Sequence, residues 1–95
     1  MSLWYAHSTG HGIWTQPVNI GQQYVNKDST VLASICEISI PPGETPQEPN
    51  EYPFVGAAGM KINNIAPQDT GVVDLQVEVD WDQDLSFRIS LAIWT

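Results

Sequence analysis

The chain has 95 residues, with three basic side chains against eleven acidic ones and a formal net charge of −8. A domain of this length buries one hydrophobic core and has no room for a second. Nucleic acid and anionic membrane surfaces are not expected partners, because both are bound through clusters of Lys and Arg. The negative charge favours solubility and would also suit a basic partner or a cation.

Cys36 is the one cysteine, which excludes an internal disulfide and a metal site built from several cysteines. Its neighbours Ile35 and Ile38 predict a buried, inert thiol. The first residues lack the basic segment and apolar run of a secretory signal, and no run of eighteen apolar residues occurs. We therefore expect a soluble protein without a signal peptide, in a compartment that the sequence leaves open.

The N-terminal part combines large apolar side chains with a Ser-Thr-Gly-His-Gly centre, which predicts two short strands joined by a glycine turn within 4–15. Short extended pieces are expected at 18–20 and 22–25. Residues 30–40 (TVLASICEISI) predict a strong strand. Because apolar residues occupy both of its faces, we expect a central or subunit-buried strand.

Residues 41–53 contain five prolines and three glutamates. Proline lacks the backbone N–H that a sheet ladder requires, so we predict a long exposed loop here. Loops of this length in a compact domain are usually functional or mobile. Extended structure should resume at 54–65, where the Gly-Ala-Ala-Gly stretch would let a neighbouring backbone approach closely, and a turn follows at 67–71.

The clearest pattern lies in residues 72–94. Apolar side chains occupy the odd positions from Val73 to Trp81 and again from Leu85 to Ile93. This two-residue period predicts two strands whose odd side chains share one core.

We expect these two strands to pair as an antiparallel hairpin around residues 82–84. A three-residue loop would place Trp81 opposite Leu85 and Glu78 opposite Arg88. A hairpin of this length needs a second layer on its apolar face.

No segment shows sustained helical periodicity, and strands recur about every eight to twelve residues with turns between them. The predicted fold is all-β, a single-domain antiparallel β-sandwich or small jelly roll over residues 1–95, with about six to eight strands. The last strand is apolar, so it should lie centrally in its sheet or be covered by another subunit.

Motifs for catalysis are missing from the sequence, which has no G-x-S-x-G, H-E-x-x-H or P-loop motif. His7 and His11 with a carboxylate could hold zinc. Residues 80–84 (DWDQD) begin like a calcium loop, but Leu85 and Leu91 stand where its glycine and closing glutamate belong. These two leucines exclude an EF-hand and leave a weak cation site at residues 80–84 as an alternative to a solvated acidic turn. We expect no enzyme, no metal centre and no cofactor.

Tryptophan is the more informative residue type. Trp14 and Trp81 are candidates for the core, whereas the alternation sends Trp94 to the outer face, where an apolar surface marks binding or oligomerisation. Trp94 either packs against a sister subunit or serves a sugar site, in which an aromatic ring stacks on the sugar and polar side chains bind its hydroxyls. The sugar-binding candidates are Trp81, Asp82, Asp84, Arg88 and Trp94.

Residues 64–94 (NIAPQDTGVVDLQVEVDWDQDLSFRISLAIW) resemble the C-terminal half of H-type lectin domains, the snail-agglutinin-like family. Thr70-Gly71, Trp81-Asp82 and Leu91-Ala92-Ile93 occupy places similar to that family's Thr-Gly turn, Trp-x-Asp corner and last strand. The resemblance implies a six-stranded sandwich that forms a trimer or hexamer and binds N-acetylgalactosamine-like sugars. The last strand is also similar to that of tumour-necrosis-factor-type jelly rolls and phage fibre tips, where it is buried between subunits.

These observations favour a non-catalytic binding module, a carbohydrate-binding, lectin-like homo-oligomer with a glycan as its ligand. One alternative is a structural or assembly protein, such as a phage or capsid-like jelly roll, whose residues 30–40 and 56–59 pack against neighbours. Another is an acidic nucleic-acid mimic that occupies a basic groove of a partner. Its carboxylates would line up along one edge: Asp74, Glu78, Asp80, Asp82 and Asp84.

Overall fold

The computed structural model describes residues 1–40 and 51–95, and this part of the chain forms seven β-strands and no helix. The strands are β1 (Ser2–Gly10), β2 (Gly12–Asn19), β3 (Thr30–Ser39), β4 (Tyr52–Phe54), β5 (Gly59–Pro67), β6 (Val72–Asp80) and β7 (Leu85–Trp94). Sheet A has the order β1-β7-β3-β4 and sheet B the order β2-β6-β5, and all neighbours pair antiparallel. The predicted all-β sandwich is confirmed.

The core lies between the two sheets and is built mainly from β6 and β7. Their odd side chains are 0–2% exposed: Val73, Leu75, Val77, Val79, Phe87, Ile89, Leu91 and Ile93. Burying each of the larger ones contributes about 1.5–3 kcal/mol. The Trp14 ring packs against Phe87 with 5.8 Å between ring centroids. The alternation therefore predicted the core positions correctly from Val73 to Val79 and from Phe87 to Ile93, but Leu85 is only partly buried and Trp81 is exposed, contrary to the prediction.

The predicted hairpin of β6 and β7 is wrong. β6 belongs to sheet B and β7 to sheet A, so their connection crosses from one sheet to the other. Trp81 does not pair with Leu85, and Glu78 lies opposite Lys61 rather than opposite Arg88. The odd side chains share one core because the two sheets face each other. An alternating sequence predicts which side of the strand each side chain points to, but it does not predict which strand pairs with it.

The first two strands cross between the sheets in the same way. Only His11 separates β1 in sheet A from β2 in sheet B, and Gly12 follows it with a φ of 82°, which glycine adopts at little cost. The predicted glycine turn is present, but its two strands do not pair. Both crossings lie at one end of the sandwich, because Gly10 pairs with Leu85 and Gly12 with Val79. We call this the arch end.

The connection from β2 to β3 differs from the prediction of an extended piece at 22–25. The N–H groups of Tyr24 and Val25 donate to the Gly21 carbonyl at 3.1 and 3.2 Å, which makes a turn. Gly21 has a φ of 121°, so the chain reverses there, and the Val25 side chain enters the core. The predicted turn at 67–71 is confirmed, since it joins β5 to β6.

The long strand β3 lies between β7 and β4, and β7 lies between β1 and β3, so both strands are central as expected. Most of the predicted proline-rich loop at 41–53 lies outside the described residues. Its last residues belong to β4, which carries Pro53. β4 is an edge strand, where the missing N–H of proline is tolerated.

Candidate functional site

Sheet A directs three rows of side chains away from the core, across β1, β7 and β3. The register defines these rows, which together we call face A: Leu3, Ala92 and Leu32; Tyr5, Ser90 and Ser34; His7, Arg88 and Cys36. The first two rows surround a groove of about 350 Å³. Face A thus combines an apolar half with a charged half.

The apolar half exposes large side chains on a rigid sheet. Leu3 is 60% exposed, Leu32 61% and Tyr5 49%, and Trp94, 41% exposed, follows Ala92 beyond the end of the first row. Large apolar side chains exposed together in this way are typical of binding surfaces.

The charged half holds a buried carboxylate. Glu51, directly before β4, has a side chain only 1% exposed, and its Oε1 lies 3.1 Å from Arg88 Nη1 while its Oε2 lies 2.7 Å from His7 Nε2. The Arg88 guanidinium also lies over the Tyr5 ring, 5.5 Å from its centroid. A buried carboxylate persists only when it is paired, and here two strands supply the partners. Nothing in the sequence indicated Glu51.

The arch end carries the exposed polar and aromatic residues of the two crossings. His11 Nδ1 lies 2.6 Å from Asp84 Oδ1 and links the two crossings, with side chains 49% and 64% exposed. Trp81 is 44% exposed and lines a shallow pocket of about 230 Å³ together with Ile13 and Asp80. Trp81 therefore lies outside the core, because β6 ends one residue before it.

The sugar-binding candidates fall at three separate places. Trp81, Asp82 and Asp84 lie in one crossing at the arch end, Arg88 is in the middle of face A, and Trp94 closes β7. The ten residues of β7 span ~33 Å, so Trp94 and the arch end are too far apart to contact one sugar. Only the first three candidates are brought together.

The outer face of sheet B is acidic. β6 directs Asp74, Glu78 and Asp80 outward, and we call this surface face B. Glu78 accepts a hydrogen bond from Asn63 Nδ2 at 3.1 Å and lies 3.5 Å from Lys61 Nζ. Three of the five carboxylates proposed for a nucleic-acid mimic lie on β6, and the other two, Asp82 and Asp84, lie at the arch end. Glu78 already contacts Asn63 and Lys61 within the same molecule.

The described residues contain no group of three or more His, Cys, Asp or Glu side chains arranged to hold a metal ion. His7 and His11 contact different carboxylates, so they do not form a common zinc site. Cys36 is only partly buried, contrary to the prediction, because its even position in β3 points to face A. Its Sγ donates to the carbonyls of Glu37 and Phe54 at 3.4 and 3.6 Å.

In the part of the chain that the structure covers, no helix has the length and apolar character needed to cross a bilayer. No protein family model, curated protein or solved structure matches this chain. Its function must therefore be inferred from the side chains of face A, face B and the arch end.

Proposed function

We propose that this protein is a non-catalytic assembly module whose copies join through sheet A. The observation that carries the proposal is the exposed apolar half of face A, where two leucines about 60% exposed flank a groove. Association removes such surface from water, which is the main favourable contribution to most protein–protein contacts.

A second copy is the partner that the charge distribution favours. Glu51, whose carboxylate contacts face A, is buried against Arg88 and His7. Of the other carboxylates, Asp74 and Asp80 point outward from β6 and Asp84 lies at the arch end, while the exposed Asp28 and Asp69 lie at the opposite end of the sandwich. Two chains of charge −8 therefore repel each other less through the apolar half of face A than through face B.

The test compares Leu3→Lys with Ile13→Lys, because the two side chains are 60% and 62% exposed and lie on face A and on the outer face of sheet B, respectively. Both variants add one positive charge. In sedimentation equilibrium across a wide concentration range, we expect the wild type and Ile13→Lys to self-associate equally and Leu3→Lys to remain monomeric. A wild type that stays monomeric, or an equal loss in both variants, would overturn the proposal.

A second candidate function is sugar binding at the arch end. It is favoured by Trp81, whose exposed ring lies beside Asp80 and the shallow pocket, with Asp82 and Asp84 following in the chain. In this arrangement the ring would stack on the sugar and the carboxylates would accept hydrogen bonds from its hydroxyls.

Fluorescence titration with N-acetylgalactosamine tests the sugar site. We expect a saturable change in tryptophan emission that is lost in Trp81→Phe and kept in Trp94→Phe, whose indole lies at the other end of β7. A flat titration, or an equal response of both variants, would argue against this candidate.

A further inference from the structure

Two strands of each sheet lie at its edges: β1 and β4 in sheet A, and β2 and β5 in sheet B. An edge strand presents backbone N–H and C=O groups that another strand can bind. Within residues 1–40 and 51–95, β7 is the only strand that pairs with β1. The outer edge of β1 is therefore open to a further strand in the described structure.

Three of the four edges carry features that oppose strand addition. β4 has only three residues and contains Pro53, and β2 contains Pro17. The ladder of β5 is interrupted between Ile62 and Asn64, and the strand also carries Lys61. Short length, proline, lysine and bulges are the means by which proteins protect edge strands from pairing.

β1 has none of these features. It runs for nine residues as SLWYAHSTG, without proline, lysine or a carboxylate. Its register with β7 is unbroken from Ser2 opposite Ile93 to Gly10 opposite Leu85. A long, regular and uncharged edge is the kind that pairs with another chain.

We propose that β1 is the edge where two copies join, by antiparallel pairing of one β1 with the other, so that sheet A continues across the dimer as an eight-stranded sheet. This inference rests on the proposed self-assembly through sheet A and specifies its geometry. A two-fold axis normal to the sheet keeps Leu3 and Tyr5 of both copies on the same side, because residues of equal parity then face each other. Leu3 and Tyr5 of the two copies then lie side by side across the seam, which removes part of the apolar half of face A from water, whereas Leu32, two strands away, stays exposed.

Charge and side-chain chemistry favour this edge over the others. β1 brings no carboxylate to the contact, and the carboxylate that its His7 binds is buried. β2 and β5 lie beside β6, which carries Asp74, Glu78 and Asp80, so pairing there would bring the acidic faces of two copies together.

Hydrogen–deuterium exchange measured at low and high protein concentration tests the pairing directly. In an antiparallel ladder about half of the edge-strand amides face outward, and they exchange freely unless a further strand binds them. We expect peptides from β1 to gain protection as the concentration rises, while peptides from β2 and β5 do not. Protection that appears in β2 or β5 instead, or no change in β1 while the protein assembles, would overturn the inference.

Cysteine cross-linking separates edge pairing from packing of one face A on another. In a Cys36→Ser background, Tyr5→Cys places a thiol on β1, whereas Leu32→Cys places one on β3, two strands and therefore ~10 Å further from the edge. Edge pairing in the register that sets Tyr5 opposite Tyr5 of the other copy predicts disulfide-linked dimers from Tyr5→Cys and few or none from Leu32→Cys. Preferential cross-linking of Leu32→Cys would reject the edge but keep the assembly function, whereas a protein that is monomeric at every concentration would reject both.

Discussion

The two sheets are alike on their inner faces and unlike on their outer faces. Inside, Leu75 of sheet B and Phe87 of sheet A are both fully buried. Outside, face A exposes Leu3 and Leu32 and face B exposes carboxylates. Antiparallel sheets commonly bury one face and leave the other to solvent. The inner alternation therefore supports the fold, while the outer side chains give the two sheets surfaces of different chemistry.

The largest expected effects come from substitutions on the inner faces, and the free energy of unfolding should fall by similar amounts in the two sheets. Phe87→Ala should lower the free energy of unfolding by about 3–5 kcal/mol and Leu75→Ala by about 2–5 kcal/mol, because each leaves a cavity in a closed core. Gln76→Ala, on the outer side of β6, should change it by less than about 0.5 kcal/mol. Urea unfolding followed by circular dichroism at one fixed protein concentration measures all three. A small loss in either inner variant would show that the two sheets do not share the core equally.

Neutralising one carboxylate on each outer face should lower the free energy of unfolding by different amounts. Glu51→Gln removes the carboxylate that Arg88 and His7, both about one fifth exposed, contact. Loss of a buried partner is strongly destabilising, and partial solvent screening reduces the expected cost here to about 1–3 kcal/mol. Glu78→Gln removes the charge that faces Lys61, which is 63% exposed, and still offers an oxygen to Asn63 Nδ2, so about 0–1 kcal/mol is expected.

The same urea titration compares these two variants. Both substitutions keep the size of the side chain and remove one negative charge, so Glu78→Gln serves as the control for the change in net charge. Equal losses would mean that burial of Glu51 does not distinguish face A from face B.

The sequence predicted the inner residues but not the partners of the strands that carry them. Val77 and Ile89 were placed in the core because alternation reports which side of a strand is buried. A short connection such as the one before Leu85 can close a hairpin or cross to the facing sheet, and both arrangements bury the same side chains. Pairing depends on contacts far apart in the chain, so the local pattern could not decide between them.

Prediction of the candidate site had similar limits. Exposure of Trp94 followed from its even position, and this expectation is confirmed. Glu51 is buried although glutamate is almost never fully buried unless paired, and its partners lie 44 and 37 residues away at His7 and Arg88. The sequence also did not indicate that β1 is an edge strand, since a strand becomes an edge only through the order of the whole sheet.

The smallest expected effect concerns the contact that ties the two sheets together at the arch end. His11 Nδ1 and Asp84 Oδ1 are 2.6 Å apart, yet both side chains are about half exposed or more. Water and salt compete with such a pair, so a double-mutant cycle of His11→Ala and Asp84→Asn should give a coupling of about 0.2–1 kcal/mol. The coupling should shrink further in ~1 M salt, where charges are screened beyond ~3 Å. A coupling energy as large as the stability lost in Glu51→Gln would contradict this comparison. It would show that the exposed His11–Asp84 contact stabilises the protein as much as the buried carboxylate of Glu51 does.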